Sequence, residues 1–222
     1  MRGARSIRHV NFAALVCLTG AFMSLAACGG KIRYPNYYVL NVPAAAPEPV
    51  RLKPALGSAA VREFSAPRFL RGGPIVYRQS PEQLGFYNYD RWAVDPRSAV
   101  TAAFVQSLRA QGVFQSVRLF DSRANPDYLI SGTLDHLEEV DQGQDVFIKV
   151  GLSAQLVDLK TGDVLWSDAS SETTRVERRA VHGLVAGMSQ AAGQAVTHLV
   201  SSMHDRVLEA STSPGTRTAG QQ

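Results

Sequence analysis

The segment from Val146 to Leu159 limits the possible folds more than any other. Val146, Ile148, Val150, Leu152, Ala154 and Leu156 alternate with Lys149, Ser153 and Gln155, and successive side chains of a strand point to opposite faces. One face of this strand is therefore buried and the other meets water, as in an antiparallel sheet covered on one side. Lys160-Thr161-Gly162-Asp163 supplies a turn, and Val164-Leu165-Trp166 returns as the partner strand of a hairpin. Something must cover the apolar face. Val181, Leu184, Val185, Met188, Ala192, Ala195, Leu199 and Met203 recur at helical spacing opposite Gln190, Gln194, Thr197 and Ser201, which predicts a long closing helix.

A second helix is predicted upstream. Asp95 is placed to cap it and Pro96 to occupy its first turn. Val100, Ala103, Phe104 and Leu108 line one face, and Gly112 ends it. Tyr37–Leu40, Ile75–Arg78, Val113–Phe120 and Tyr128–Val140 read as further strands, the last with a less regular alternation. The expected fold class is α+β: a largely antiparallel sheet packed by two main helices in a single domain.

The N-terminus carries a different message. Arg2, Arg5 and Arg8 precede an apolar stretch from Phe12 to Met23, which ends in the small residues Ala26 and Ala27. This is the order of a secretory signal. The stretch is broken by Thr19-Gly20 and falls short of the roughly 20 apolar residues a membrane span needs. Leu25-Ala26-Ala27-Cys28 matches a lipobox, in which the cysteine thiol takes a diacylglyceryl group before the signal is cut away. The expected organisation is a lipoprotein signal peptide over 1–27, a lipid anchor and tether over 28–36, and a domain over 37–208. Residues 43–54 form a proline-rich connector within that domain, and a polar, disordered tail occupies 209–222.

Of the two cysteines, Cys17 leaves with the signal, so the mature chain keeps only Cys28 and can form no internal disulfide. Stable anchoring takes more than one acyl chain, which lipoprotein acylation supplies. Gly29 stands where an aspartate would retain the protein at the inner membrane, so the outer membrane is the expected address. Losing Arg2, Arg5 and Arg8 lowers the 23 basic residues to 20 against 19 acids. The mature chain is close to neutral and lacks the basic footprint that nucleic-acid binding needs.

No catalytic, cofactor or metal constellation emerges. His136, His182, His198 and His204 form no His-Glu-x-x-His motif, and no Gly-x-Ser-x-Gly elbow is present. Glu138-Glu139-Val140-Asp141 clusters acids, but neighbouring strand residues face opposite ways and cannot converge on a substrate. A solvated turn is the expectation there. Gly72-Gly73-Pro74 reads as a turn, and Gly183-x-x-x-Gly187 as a place where the closing helix packs tightly on the sheet. The one contact candidate is Phe86-Tyr87-Asn88-Tyr89-Asp90-Arg91-Trp92. Aromatics interleaved with Arg are typical of interface hot spots, which makes Tyr87, Tyr89, Arg91 and Trp92 candidate partner-binding residues. The alternative is a core strand leading into the first helix.

Several segments, taken together and in order, resemble the ABC-type transport auxiliary lipoproteins. They are Cys28 with Tyr37-Tyr38-Val39-Leu40; Ile75-Val76-Tyr77-Arg78; Tyr87-x-Tyr89-x-Arg91-Trp92 with Pro96; Gly112-Val113-Phe114; Asp127-Tyr128-Leu129-Ile130-x-Gly132-x-Leu134; and Leu156-Val157-Asp158-x-x-Thr161-Gly162-x-Val164-Leu165-Trp166. The resemblance implies a small α/β domain without catalytic residues or cofactors. It also implies a role beside an ATPase, a permease and a periplasmic MCE-domain (mammalian cell entry) protein that moves phospholipid or related lipids. A homo-oligomer is compatible with it. Two other readings stay open at this point: a regulatory lipoprotein that activates a peptidoglycan synthase, and an envelope hydrolase, which a convergent carboxylate pair or a Ser–His contact would support.

Overall fold

The hairpin and the closing helix organise everything else. The computed structural model describes residues 33–44, 56–123, 125–176 and 180–212. In chain order the elements are β1 (Asn36–Tyr38), β2 (Leu56–Val61), a 3-10 turn (Arg68–Leu70), β3 (Gly73–Ser80), β4 (Gln83–Trp92), α1 (Pro96–Gln111), β5 (Phe114–Leu119), β6 (Tyr128–Gln142), β7 (Asp145–Asp158), β8 (Val164–Val176) and α2 (Val181–Thr212). The signal segment, Cys28, most of the connector and residues 213–222 lie outside the described residues. α2 continues through Thr212, into the segment expected to be tail.

β6 is the spine of the sheet. One of its edges carries β7 from Tyr128↔Asp158 to Gln142↔Asp145, and β8 follows antiparallel on β7. Its other edge is shared. β2 runs parallel beside Ala59↔Tyr128 to Val61↔Ile130, while β3 runs parallel at Tyr77↔Glu139 and Arg78↔Val140. β5 extends the sheet beyond β2, and β4 and then β1 extend it beyond β3. The long pairings are antiparallel and the parallel ones short, so the α+β expectation holds.

Two irregularities explain where simple alternation fails. Leu134 pairs with Leu152 and His136 with Gly151, leaving Asp135 as an extra residue. A bulge of this kind reverses which side chains face inward. Ile130 and Leu134 are buried before it, Leu137 and Glu139 after it. The second is larger. Pro74 pairs with Arg91 but Val76 with Phe86, so the four residues Tyr87–Asp90 bulge opposite Ile75 alone.

Both helices follow their sequence signals. Asp95 Oδ1 accepts the Arg97 N–H at 3.0 Å, Pro96 opens α1, and Gly112 closes it in the left-handed region at φ 65°. Val100, Phe104 and Leu108 are buried on its inner face. The stripe of α2, from Leu184 through Met188, Ala192, Ala195 and Leu199 to Met203, is buried against the sheet. Gly187 lies where a Cβ would collide with the Ile148 side chain, whereas Gly183 faces open space, so only half of the Gly-x-x-x-Gly pair serves close packing.

The segment after β1 straps across α2. Leu40 is buried, the Asn41 N–H donates to Ser189 Oγ at 3.1 Å, and a Cβ on Gly193 would sit 2.6 Å from Pro43 Cγ. β1 therefore enters the sheet before the proline-rich connector and β2 after it. The connector leaves and rejoins one domain; it does not separate the domain from what precedes β1.

Candidate functional site

The bulge in β4 divides the aromatic cluster. Trp92 is 5 % exposed and belongs to the core, as the alternative reading of this cluster has it. Its position follows from register: Trp92 pairs with Tyr38, whose ring also packs on the core. Tyr87 is half-buried, stacks edge-on against Tyr77 with ring centroids 5.4 Å apart, and donates its hydroxyl to Glu139. Tyr89 remains exposed and Arg91 half-exposed. Asp90, between them, points the other way and accepts from Asn36 Nδ2 at 2.9 Å and Tyr38 Oη at 3.1 Å. Burial and the hydrogen bond to Asp90 raise the Tyr38 phenol pKa.

The acids of β6 also depart from expectation. Glu138 and Glu139 are each 1 % exposed and sit within the strand, not in a solvated turn. A buried carboxylate persists only when it is paired and hydrogen-bonded, and the partners come from β3 and β4. Arg78 grips Glu138 with Nε at 3.0 Å and Nη2 at 2.9 Å, and His136 Nδ1 lies 3.1 Å from the same carboxylate. Glu139, on the helix-covered face, takes the Tyr87 hydroxyl. The two carboxylates thus face opposite sides of the sheet and do not converge. Arg78, His136 and Glu138 line an outer-face cleft of about 630 Å³ together with Lys149, Asp141 and Thr173. Two hydroxyls also line the cleft: Ser80, which donates to Glu82 at 3.3 Å, and Thr173.

A second imidazole–carboxylate contact joins α2 to β8. His198 Nε2 lies 3.5 Å from Asp168 Oδ2, and Trp166 Nε1 donates to Ser202 Oγ at 3.1 Å. The Ser202 hydrogen bond, then the Ala169 amide and His198, lower the Asp168 pKa against the opposing effect of burial. Asp127 is lowered likewise, first by the Ser58 amide and hydroxyl, which bond it at 2.9 Å, and further by Lys160. Both acids tie elements together: Asp127 joins β2 to the start of β6, and Asp168 joins β8 to α2.

Cys28 lies outside the described residues. Among the described residues, no group of three or more His, Cys, Asp or Glu is placed to hold a metal, and no helix is long and apolar enough to cross a membrane. What sequence reasoning missed is the buried Arg78–Glu138 pair. Its one local signal is a charged residue near the end of an apolar strand, which says nothing of a partner 60 residues away.

The solved structure of protein XCC0632 from Xanthomonas campestris superposes with a TM-score of 0.68 at 20 % identity, covering 80 % of this chain and all of that one. A second solved structure, of an uncharacterised protein, superposes at 0.59 with 14 % identity, covering 77 % of this chain and 99 % of that one. At such identities the likeness shows the shared fold. No curated protein matches the chain. The family model described as ABC-type transport auxiliary lipoprotein component matches residues 38–200, from the end of β1 to within α2, and the chain belongs to that family.

Proposed function

We propose that the protein is a non-catalytic lipoprotein of an ABC-type envelope lipid transport system. Acyl chains on Cys28 hold it at the periplasmic face of the outer membrane. It acts by binding a periplasmic MCE-domain partner that works with a permease and an ATPase. The observation that carries this reading is the family match across almost the whole described domain. The local chemistry supports it: the acids of β6 diverge, and the His198–Asp168 contact fastens α2 to β8.

The place of β1 separates this reading from the peptidoglycan-synthase alternative. A regulator that reaches through the cell wall needs a long spacer between anchor and domain. Here Asn36 is already in the sheet, eight residues after Cys28, and eight extended residues span at most about 28 Å. The proline-rich segment adds nothing to that reach, because it follows β1 in the chain. The domain works close to its membrane.

The test is co-purification. Acylated protein extracted from native envelopes should bring down an MCE-domain protein of the same organism. Recovery of a peptidoglycan synthase instead, with no MCE-domain protein, would transfer the function to the alternative.

A further inference from the structure

The outermost strand of the sheet carries apolar residues that the core does not use. Tyr37 is 63 % exposed and Val39, just after it, 57 %, and Tyr89 on the neighbouring strand is 39 % exposed. Register brings them together. Tyr37 pairs with Arg91, two residues beyond Tyr89, and the Ala93 N–H donates to the Tyr38 carbonyl at 2.8 Å, which continues the register and sets Val39 beside Ala93. Asn36, Tyr38, Asp90 and Trp92 take the opposite face, where the Asp90 carboxylate and the core hold them. The exposed set is two tyrosines, a valine and a half-exposed arginine on one corner, where the chain enters the domain.

The occupant follows from chain length. Tyr37 lies nine residues after Cys28, so even a fully extended tether keeps it within about 30 Å of the anchored thioether. A tether of this length holds the corner at millimolar effective concentration against the surface that carries the acyl chains. Tyrosine, with an apolar ring and a polar tip, partitions to the headgroup layer, and arginine meets lipid phosphate there. We infer that the β1–β4 corner formed by Tyr37, Val39, Tyr89 and Arg91 is a bilayer-contacting surface. It seats the domain against the headgroups and so fixes which face is turned toward the periplasm. This rests on anchoring at Cys28.

Site-specific fluorescence tests it. Tyr37→Trp and Leu119→Trp are made separately in the full acylated protein and reconstituted into phospholipid vesicles with brominated acyl chains. Leu119 is 57 % exposed on β5, at the opposite end of the sheet order from β1. The native Trp92 and Trp166 are buried and give a common background. Tryptophan at 37 should shift to the blue and lose emission to the bromines, while tryptophan at 119 keeps the emission of a water-exposed indole. If vesicle-bound protein shows no quenching at 37 beyond that at 119, the surface does not touch lipid. Shielding of 37 only when the MCE-domain protein is added would assign the corner to a protein partner and overturn the inference. Failure of the protein to stay on vesicles at all would sink the anchoring and the inference together, a result distinct from either.

Discussion

Replacing Trp92 by alanine separates the two possible roles of the aromatic cluster. The indole is 5 % exposed among Tyr38, Leu40 and the rest of the core. Truncating a buried aromatic costs about 3–5 kcal/mol in lost transfer energy and residual cavity. For a domain of this size each kcal/mol moves the melting temperature by about 2–4 °C, so a fall of about 6–20 °C is expected. Tyr89→Ala provides the contrast, because exposed positions usually stay within about 0.5 kcal/mol of neutral. Tyr87→Phe should fall between them. It removes a hydroxyl donor from the buried Glu139 carboxylate, a loss worth about 1–3 kcal/mol. The assay is thermal and urea denaturation of the three variants followed by circular dichroism. A Trp92→Ala protein that melts with the wild type would refute the division of the cluster and restore Trp92 as a contact residue.

Other substitutions probe the remaining joints. Arg78→Ala leaves the 1 % exposed Glu138 carboxylate without its guanidinium; a loss of about 3–5 kcal/mol in urea denaturation is expected, and a double-mutant cycle with Glu138→Gln should recover much of it. Gly132→Ala pushes a Cβ to 2.5 Å from the Phe64 ring and 2.8 Å from the Ser153 carbonyl, so overpacking of about 1–3 kcal/mol should appear as a lower urea midpoint; an unchanged midpoint would mean the sheet yields there. Asp127 and Asp168 are held below their usual pKa. Their contribution is therefore complete above the ordinary carboxylate range and lost as pH falls through the lowered folded-state values. Stability followed from pH 6 downward should decline there in wild type and decline less in Asp168→Asn. An identical pH profile in that variant would remove Asp168 from the account.

Much of the fold could be read from residue patterns because its signals are local. The β7–β8 hairpin, the Asp95 cap and the stripe of α2 each sit within one element, and each appears where the pattern puts it. β2 gave no such signal. Leu56-Gly57-Ser58-Ala59-Ala60-Val61 consists of small residues, with Ala59, Ala60 and Val61 all fully buried, so no alternation survives. The candidate site was harder for a related reason. The Asp135 bulge reverses the inward face of β6 halfway along, and the groups that neutralise Glu138 and Glu139 come from strands 50 to 60 residues earlier. Charge patterning alone predicts exposure for two adjacent glutamates. Only the approach of Arg78 and Tyr87 makes their burial tolerable.

The claim that this lipoprotein works by anchored contact and not by catalysis is tested most directly by complementation. A strain lacking the gene, assayed for envelope lipid transport, receives the wild type, Cys28→Ser, or a double variant of His136→Ala and His198→Ala, which removes both imidazole–carboxylate contacts. With protein levels matched, the double variant should restore transport and Cys28→Ser should not. Restoration by Cys28→Ser together with complete loss in a folded double variant would contradict the account.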